Sequence, residues 1–259
     1  MKFIFKKAPS EFFEESPIVL MGRGHSGTRL LSTICDLLGV SLFANNKSGS
    51  GDTSDTKFTK AIISSACDVM GSGNKLEGID VFKKAVWKYF LLHDGAEKWG
   101  WKFPETFLIP EIVHATFPNA KYIHILRDGR DLAFKSHLTD NPLKKLGKLI
   151  LKKLDTFDKP AHIQAASSWA YQVNNFLSFS DSLPSNQIMH FKFEALCTDP
   201  IKISTQIADF LELPMTDDCL NFIKKIDASK IGQYKENDPT KLAEVSQYLQ
   251  SDLKKLNYL

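Results

Sequence analysis

Residues 17–39 impose the strongest constraint on what this chain can fold into. Ile18-Val19-Leu20-Met21 is an unbroken apolar run bounded by Pro17 and Gly22. Such a run suits a strand buried on both faces of a parallel sheet. GRGHSGT (residues 22–28) follows it, and then Leu30, Leu31, Ile34, Leu37 and Leu38 recur at helical spacing until Gly39. Strand, glycine-rich turn and helix in that order form a βα unit. The helix N-terminus offers unpaired amide donors with partial positive charge, a seat for an anion. Gly22, Gly24 and Gly27 let the backbone approach the anion closely, Ser26 and Thr28 add hydroxyls, and Arg23, His25 and Arg29 add charge.

The same loop lacks the parts of a nucleoside-triphosphate site. Gly22 and Gly27 match the spacing of GxxxxGK[ST], but Thr28 stands where the lysine belongs and Arg29 where the magnesium-binding hydroxyl belongs. A second strand, Lys121 to Leu126 (KYIHIL), runs into Arg127 rather than into a lone Asp that would help hold magnesium. A kinase is disfavoured on these grounds. Arg127 ends a buried strand, the place where α/β ligands bind, and it reads as an anion clamp rather than a surface partner of Asp128 or Asp131.

Around these landmarks the pattern alternates. Helical spacing is expected over about 57–70, 80–98, 105–117, 161–180 and 200–212, and again from Pro239, where Leu242, Val245, Leu249 and Leu253 are in register. A strand-like segment precedes Lys102, and Gln187 to Phe193 (QIMHFKF) reads as a further strand, while residues 41–56 read as a polar surface loop. Strands alternating with helices imply an α/β chain, a three-layer P-loop-type fold whose central, mainly parallel sheet is flanked by helices, in one domain over 1–259.

Composition excludes more than it selects. The 259 residues are 43% hydrophobic and 24% charged with a net charge of +3, globular values too weakly basic to argue for nucleic acid or a membrane surface. No run of about 18 apolar residues is present, so no transmembrane segment is expected. The acidic N-terminal stretch does not read as a signal peptide, and a cytoplasmic location is expected. Cys35, Cys67, Cys197 and Cys219 are widely spaced, forming neither a zinc motif nor a disulfide framework. Trp169 reads as core. Lys144, Lys145, Lys148, Lys152 and Lys153 surround apolar residues as the solvated face of an amphipathic helix, with steering of an anionic acceptor as the alternative.

With these pieces in order, the chain resembles PAPS-dependent sulfotransferases, especially the bacterial and tyrosylprotein-type branches; PAPS is 3′-phosphoadenosine-5′-phosphosulfate. PIVLMGRGHSGTRLL resembles the family's 5′-phosphosulfate loop, and by that match Ser26, Gly27, Thr28 and Arg29 would cradle the 5′-phosphosulfate, with Arg23, Gly24 and His25 of the same loop as further donor-binding candidates. KYIHILRDGRDLAFKSH is similar to the segment that holds the 3′-phosphate, with Arg127 as its first clamp. FKFEALCTDP with FLELP resembles the strand-then-helix near the sheet centre, and KIGQYK resembles the C-terminal lid, which would bring Ser229, Lys230 and Gly232 to the nucleotide. Two positions depart from the family: His25 replaces the usual Lys or Arg, and the slot of the phosphate-binding serine holds Lys135, with Ser136 one residue on. Either Lys135 or Ser136 would then contact the 3′-phosphate.

The resemblance implies sulfuryl transfer from PAPS to a hydroxyl-bearing acceptor, an anionic compound or a saccharide being among the expected classes, with PAP as product and no metal. His25 would act as a cation or proton donor on the leaving oxygen. Lys102 would stabilise developing charge, and either Glu105 or Asp52 would be the general base. The rival expectations are a P-loop kinase or nucleotide phosphotransferase, and a nucleotide-binding protein that catalyses nothing.

Overall fold

The computed structural model describes residues 8–43, 51–93 and 96–259. Four parallel strands, β1 (Ile18–Met21), β2 (Gly100–Lys102), β3 (Lys121–Leu126) and β4 (Ile188–Lys192), form one sheet in the order β2-β1-β3-β4. In register, Ile18 faces Gly100 on one side and Lys121 on the other, and His124 faces His190. Twelve helices among the described residues surround it: α1 (Thr28–Leu37), α2 (Thr56–Ser72), α3 (Ile79–Phe90), α4 (Pro110–Thr116), α5 (Gly129–Leu132), α6 (Lys145–Lys153), α7 (Ala161–Ser180), α8 (Phe193–Thr198), α9 (Pro200–Leu211), α10 (Asp217–Ile223), α11 (Pro239–Tyr248) and α12 (Gln250–Lys255).

Successive side chains of a strand point to opposite faces, so the central β1 feeds two cores. Val19 and Met21 pack with Phe58, Trp101, Phe107 and Phe176 under α2, α3, α4 and α7. Ile18 and Leu20 pack with Ile34, Ile123, Ile125 and Leu211 under α1, α8, α9 and α10. This is the three-layer α/β arrangement expected from the alternation. Trp169 is fully buried, and an added Cβ on Gly129 would strike its indole. All four cysteines are free and buried. Lys144, Lys145, Lys148, Lys152 and Lys153 are exposed around the buried Leu146, Ile150 and Leu151.

Three helical boundaries differ from the sequence pattern. The expected helix 105–117 is split into a 3-10 turn, Pro104–Leu108, and α4. Pro110 has no amide hydrogen to continue the ladder and excludes helical backbone at Ile109, whose φ/ψ are −131°/38°. α3 ends at Phe90, not near 98, and Leu91 and Leu92 beyond it are exposed. The C-terminal helix is broken at Leu249 into α11 and α12. Of the expected loop 41–56, residues 44–50 lie outside the described ones; Thr53 N–H donates to the Lys102 carbonyl at 2.9 Å, extending the sheet edge at β2.

Candidate active site

The strand order places the crevice. The chain leaves β1 for the β2 side and leaves β3 for the β4 side, and ligands of open α/β sheets bind where the connections part in this way, beyond the strand C-termini. Loop 22–27 follows β1, Lys102 ends β2, and Arg127 follows β3.

The loop is held by close packing. Gly22 has φ +153°, and a Cβ there would lie 2.8 Å from the Ile125 carbonyl oxygen. A Cβ on Gly24 would overlap the His137 ring, and one on Gly27 (φ +93°) the Phe193 ring. Glycine is thus demanded by protein neighbours as well as by any anion. Gly27 caps α1, and the amides of Gly27, Thr28, Arg29 and Leu30 make no hydrogen bond among the described residues, leaving open donors at the helix N-terminus. Ser26 and Thr28 are buried beside them and Arg29 is exposed.

His25 adopts left-handed backbone (φ 73°), uncommon for a residue with a side chain. Two bonds hold it there: its carbonyl accepts from Arg127 Nη1 at 3.1 Å, and its Nε2 lies 3.2 Å from the Ser136 carbonyl. Donation from Nε2 leaves Nδ1 as the open nitrogen. Desolvation, reinforced by the Arg23 and Lys135 charges, holds His25 below the usual histidine pKa. Arg23 is 1% exposed and paired with Asp140, and it also donates to the Lys135 carbonyl at 3.2 Å. Its charge therefore braces the base of the loop.

Arg127 joins three segments. Its Nε and Nη2 donate to Asp131 Oδ2 at 3.1 and 3.0 Å, Nη1 to His25, and Nη2 to the Lys230 carbonyl at 2.5 Å. Its guanidinium lies 4.3 Å from the Phe193 ring centroid. Four of its five hydrogens are engaged, so one on Nη1 is left for a ligand. Asp131 also accepts from Gly232 N at 3.2 Å and Tyr234 N at 2.8 Å, tying segment 229–236 across the strand ends. Beside Arg127 a cavity of about 190 Å³ is lined by Leu30, Phe193, Cys197, Phe222, Ser229 and Lys230, among others. Lys135 and Ser136 are exposed and line a separate cavity of about 570 Å³ with Asp140, Asn141 and Lys241.

The structure brings both carboxylate candidates to one place. Lys102 is 4% exposed and bonds Asp52 Oδ1 at 2.6 Å. Burial lowers the Lys102 pKa, and Asp52 opposes that. Glu105, 3% exposed on the turn after β2, is pushed up to about 7 by desolvation, with the Asp52 charge adding to the rise and Lys102 opposing it. His137 Nε2 lies 3.7 Å from Glu105 Oε1 and its ring centroid 6.0 Å from that of His25. Sequence reasoning missed His137 and Asp140. Their signal is a polar residue followed three positions later by an acid, which here forms a capping box: Asp140 Oδ1 accepts from His137 N at 2.8 Å. Among the described residues no group of three or more His, Cys, Asp or Glu is placed to hold a metal ion, and no helix is long and apolar enough to cross a membrane.

Comparison with known proteins agrees with this geometry. A sulfotransferase domain from the curacin biosynthetic pathway superposes with a TM-score of 0.55 at 17% identity, covering 91% of this chain and 97% of that one. For sulfotransferase STF9 from Mycobacterium avium the values are 0.53 and 13%, covering 96% and 77%. Mouse sulfotransferase SULT7A1, solved with PAP, gives 0.52 and 14%, covering 92% and 85%. At these identities the likeness is one of fold. No curated protein matches the chain by sequence. The model of the sulfotransferase family, however, matches residues 17–217, well over half of the chain, and the chain belongs to that family.

Proposed function

We propose that the chain transfers a sulfuryl group from PAPS to an acceptor hydroxyl and releases PAP. The observation that carries this is the convergence, at the ends of β1, β2 and β3, of an anion seat without a loop lysine, the Lys102–Asp52 pair and the buried Glu105. The open amides of Gly27 to Leu30 suit the 5′-phosphosulfate, with the side chains of Ser26, Thr28 and Arg29 around it. The 190 Å³ cavity suits an adenine against Phe193. The remaining Arg127 hydrogen, Ser229, Lys230 and Gly232 suit the 3′-phosphate, with Lys135 or Ser136 reaching it from the separate cavity that they line; a mouse sulfotransferase of similar fold is solved with PAP.

In this scheme Glu105 takes the proton of the acceptor hydroxyl. A general base works best with a pKa near the working pH, and about 7 meets that condition. Asp52, ion-paired with Lys102, holds that ammonium toward the transferred group. The acceptor oxygen forms the new S–O bond as the bond to the bridging oxygen breaks, and the electron pair departs with PAP. The loop amides and Lys102 stabilise the developing charge, and His25 Nδ1 meets the leaving oxygen once a bound anion raises its affinity for a proton. Arg23 acts from beneath through Asp140 and Gly24. The acceptor is a hydroxyl compound, and the cytoplasm is its expected compartment.

Calorimetric titration without magnesium, using PAP, 5′-AMP and ATP in turn, tests the donor. Selective micromolar binding of PAP is expected. Failure to bind PAP, with ATP bound once magnesium is added, would return the chain to the kinases. PAP binding without sulfuryl transfer to any of a panel of sugar, phenol and alcohol acceptors would favour a non-catalytic binding protein.

A further inference from the structure

Glu105 is a buried carboxyl group, and a buried carboxylate is stable only where donors face it. His137 lies between it and the anion loop: Nε2 is 3.7 Å from Glu105 Oε1, and the ring occupies the space where Gly24 lacks a Cβ. The other ring nitrogen is fixed from behind. Thr139 N donates to His137 Nδ1 at 3.4 Å, and Thr139 Oγ1 lies 2.9 Å from the same atom. That hydroxyl accepts from Gln172 Nε2 at 3.1 Å, which turns its own hydrogen toward Nδ1. Gln172 Nε2 also bonds Ser168 Oγ at 2.9 Å, and Thr139, Gln172 and Ser168 are all buried. Nδ1 therefore accepts twice, and the ring proton resides on Nε2.

We infer that His137 is a positioning residue of the transfer site: held by Thr139 and Gln172 as the Nε2–H tautomer, it aims that hydrogen at Glu105 and stabilises the ionised carboxylate. The inference rests on Glu105 being the general base. The charged groups that act on Glu105 are Asp52 and Lys102, and those that act on His137 are Arg23, His25 and Lys102. Burial and those basic neighbours keep His137 neutral, so what faces Glu105 is a neutral ring N–H and not a cation. At 3.7 Å the contact is longer than a hydrogen bond, and the charge on Glu105 as it ionises draws the ring N–H to it without any ligand.

Histidine variants separate this role from a structural one. Gln places an N–H near the position of Nε2, whereas Asn places an acceptor near Nδ1 and so preserves only the cap of the 138–140 turn. The readouts are the ¹³C titration of the Glu105 carboxyl and the ¹⁵N signals of His137, both in the ligand-free chain. The parent should show the Nε2–H tautomer at pH 7. His137→Asn should raise the Glu105 midpoint by about one pH unit, the size expected for loss of one donor to a buried carboxylate. His137→Gln should keep the parent midpoint. An Nδ1–H or doubly protonated His137, or equal midpoints in the Asn and Gln variants, would overturn the assignment. The tautomer is read in the parent and decides even where a variant does not fold. Neither readout uses nucleotide, so failure of PAP binding and failure of the His137 role are separate results.

Discussion

Replacing Glu105 by Gln should shift the stability difference in favour of the variant as pH rises from 5 to 8. Burial raises the Glu105 pKa from 4.5 to about 7 in the folded chain. Below pH ~4.5 the carboxyl is protonated in both states and costs nothing. As pH rises from there, the unfolded chain releases its proton first, so unfolding gains. The cost is complete above the folded value. A displacement of about 2.5 pH units at ~1.4 kcal/mol each comes to about 3 kcal/mol. Gln has nearly the same shape and no charge to desolvate. Whatever its amide loses in hydrogen bonding is independent of pH and cancels when two pH values are compared. Urea unfolding of both proteins at pH 5 and pH 8 is the assay. The difference in unfolding free energy, variant minus parent, should rise by about 2–3 kcal/mol between those pH values. A difference that stays constant would show that Glu105 is not desolvated, and the argument for it as a base of matched pKa would fail. The same variant should lose about 10²–10⁴ in transfer rate while still binding PAP.

Other outcomes follow from the braces around the loop. Asp140→Ala leaves the buried Arg23 charge without its partner, and should cost about 3–5 kcal/mol in urea unfolding; a loss under ~1 kcal/mol would mean that Arg23 is solvated. Gly24→Ala puts a methyl group into the His137 ring space, and should destabilise by about 1–3 kcal/mol with weaker PAP binding; unchanged values for both would refute the close packing. Arg127→Lys keeps the charge but cannot reach Asp131, His25 and Lys230 together, so PAP affinity should fall at least about tenfold and segment 229–236 should become protease-sensitive. His25 is held below the usual histidine pKa, so in the free chain its charge is already lost on the acid side of neutrality; PAP affinity of His25→Lys should persist to higher pH than that of the parent, and parallel pH profiles would remove His25 from the anion site.

Much of this architecture was legible in local pattern. An apolar run between Pro17 and Gly22 has no stable place except a covered strand, and the missing loop lysine is a fact of composition at one position. These features depend on neighbours within one or two turns, and local propensity decides them. The split at Ile109 was legible in principle, since Pro110 states it, but the apolar spacing around it outweighed that signal. The end of α3 at Phe90 was not legible, because the apolar spacing carries no stop signal there.

The sequence alone therefore determined the alternation of strands with helices, the glycine-rich loop after the first strand and the inventory of candidate groups, including Lys102, Glu105, Asp52 and Arg127. Tertiary structure decided what those groups are. Arg23 and Arg127 look alike as loop cations, yet one is sealed against Asp140 and the other spans three segments. Asp52 and Glu105 look alike as carboxylates, yet one is ion-paired to Lys102 and the other is desolvated until its pKa nears 7. His137 enters the site only because β3 and the turn after it bring residue 137 against Gly24 and Glu105. Charge, tautomer and proton affinity depend on distances and solvent exclusion between residues far apart in the chain, and those exist only once the strands lie side by side.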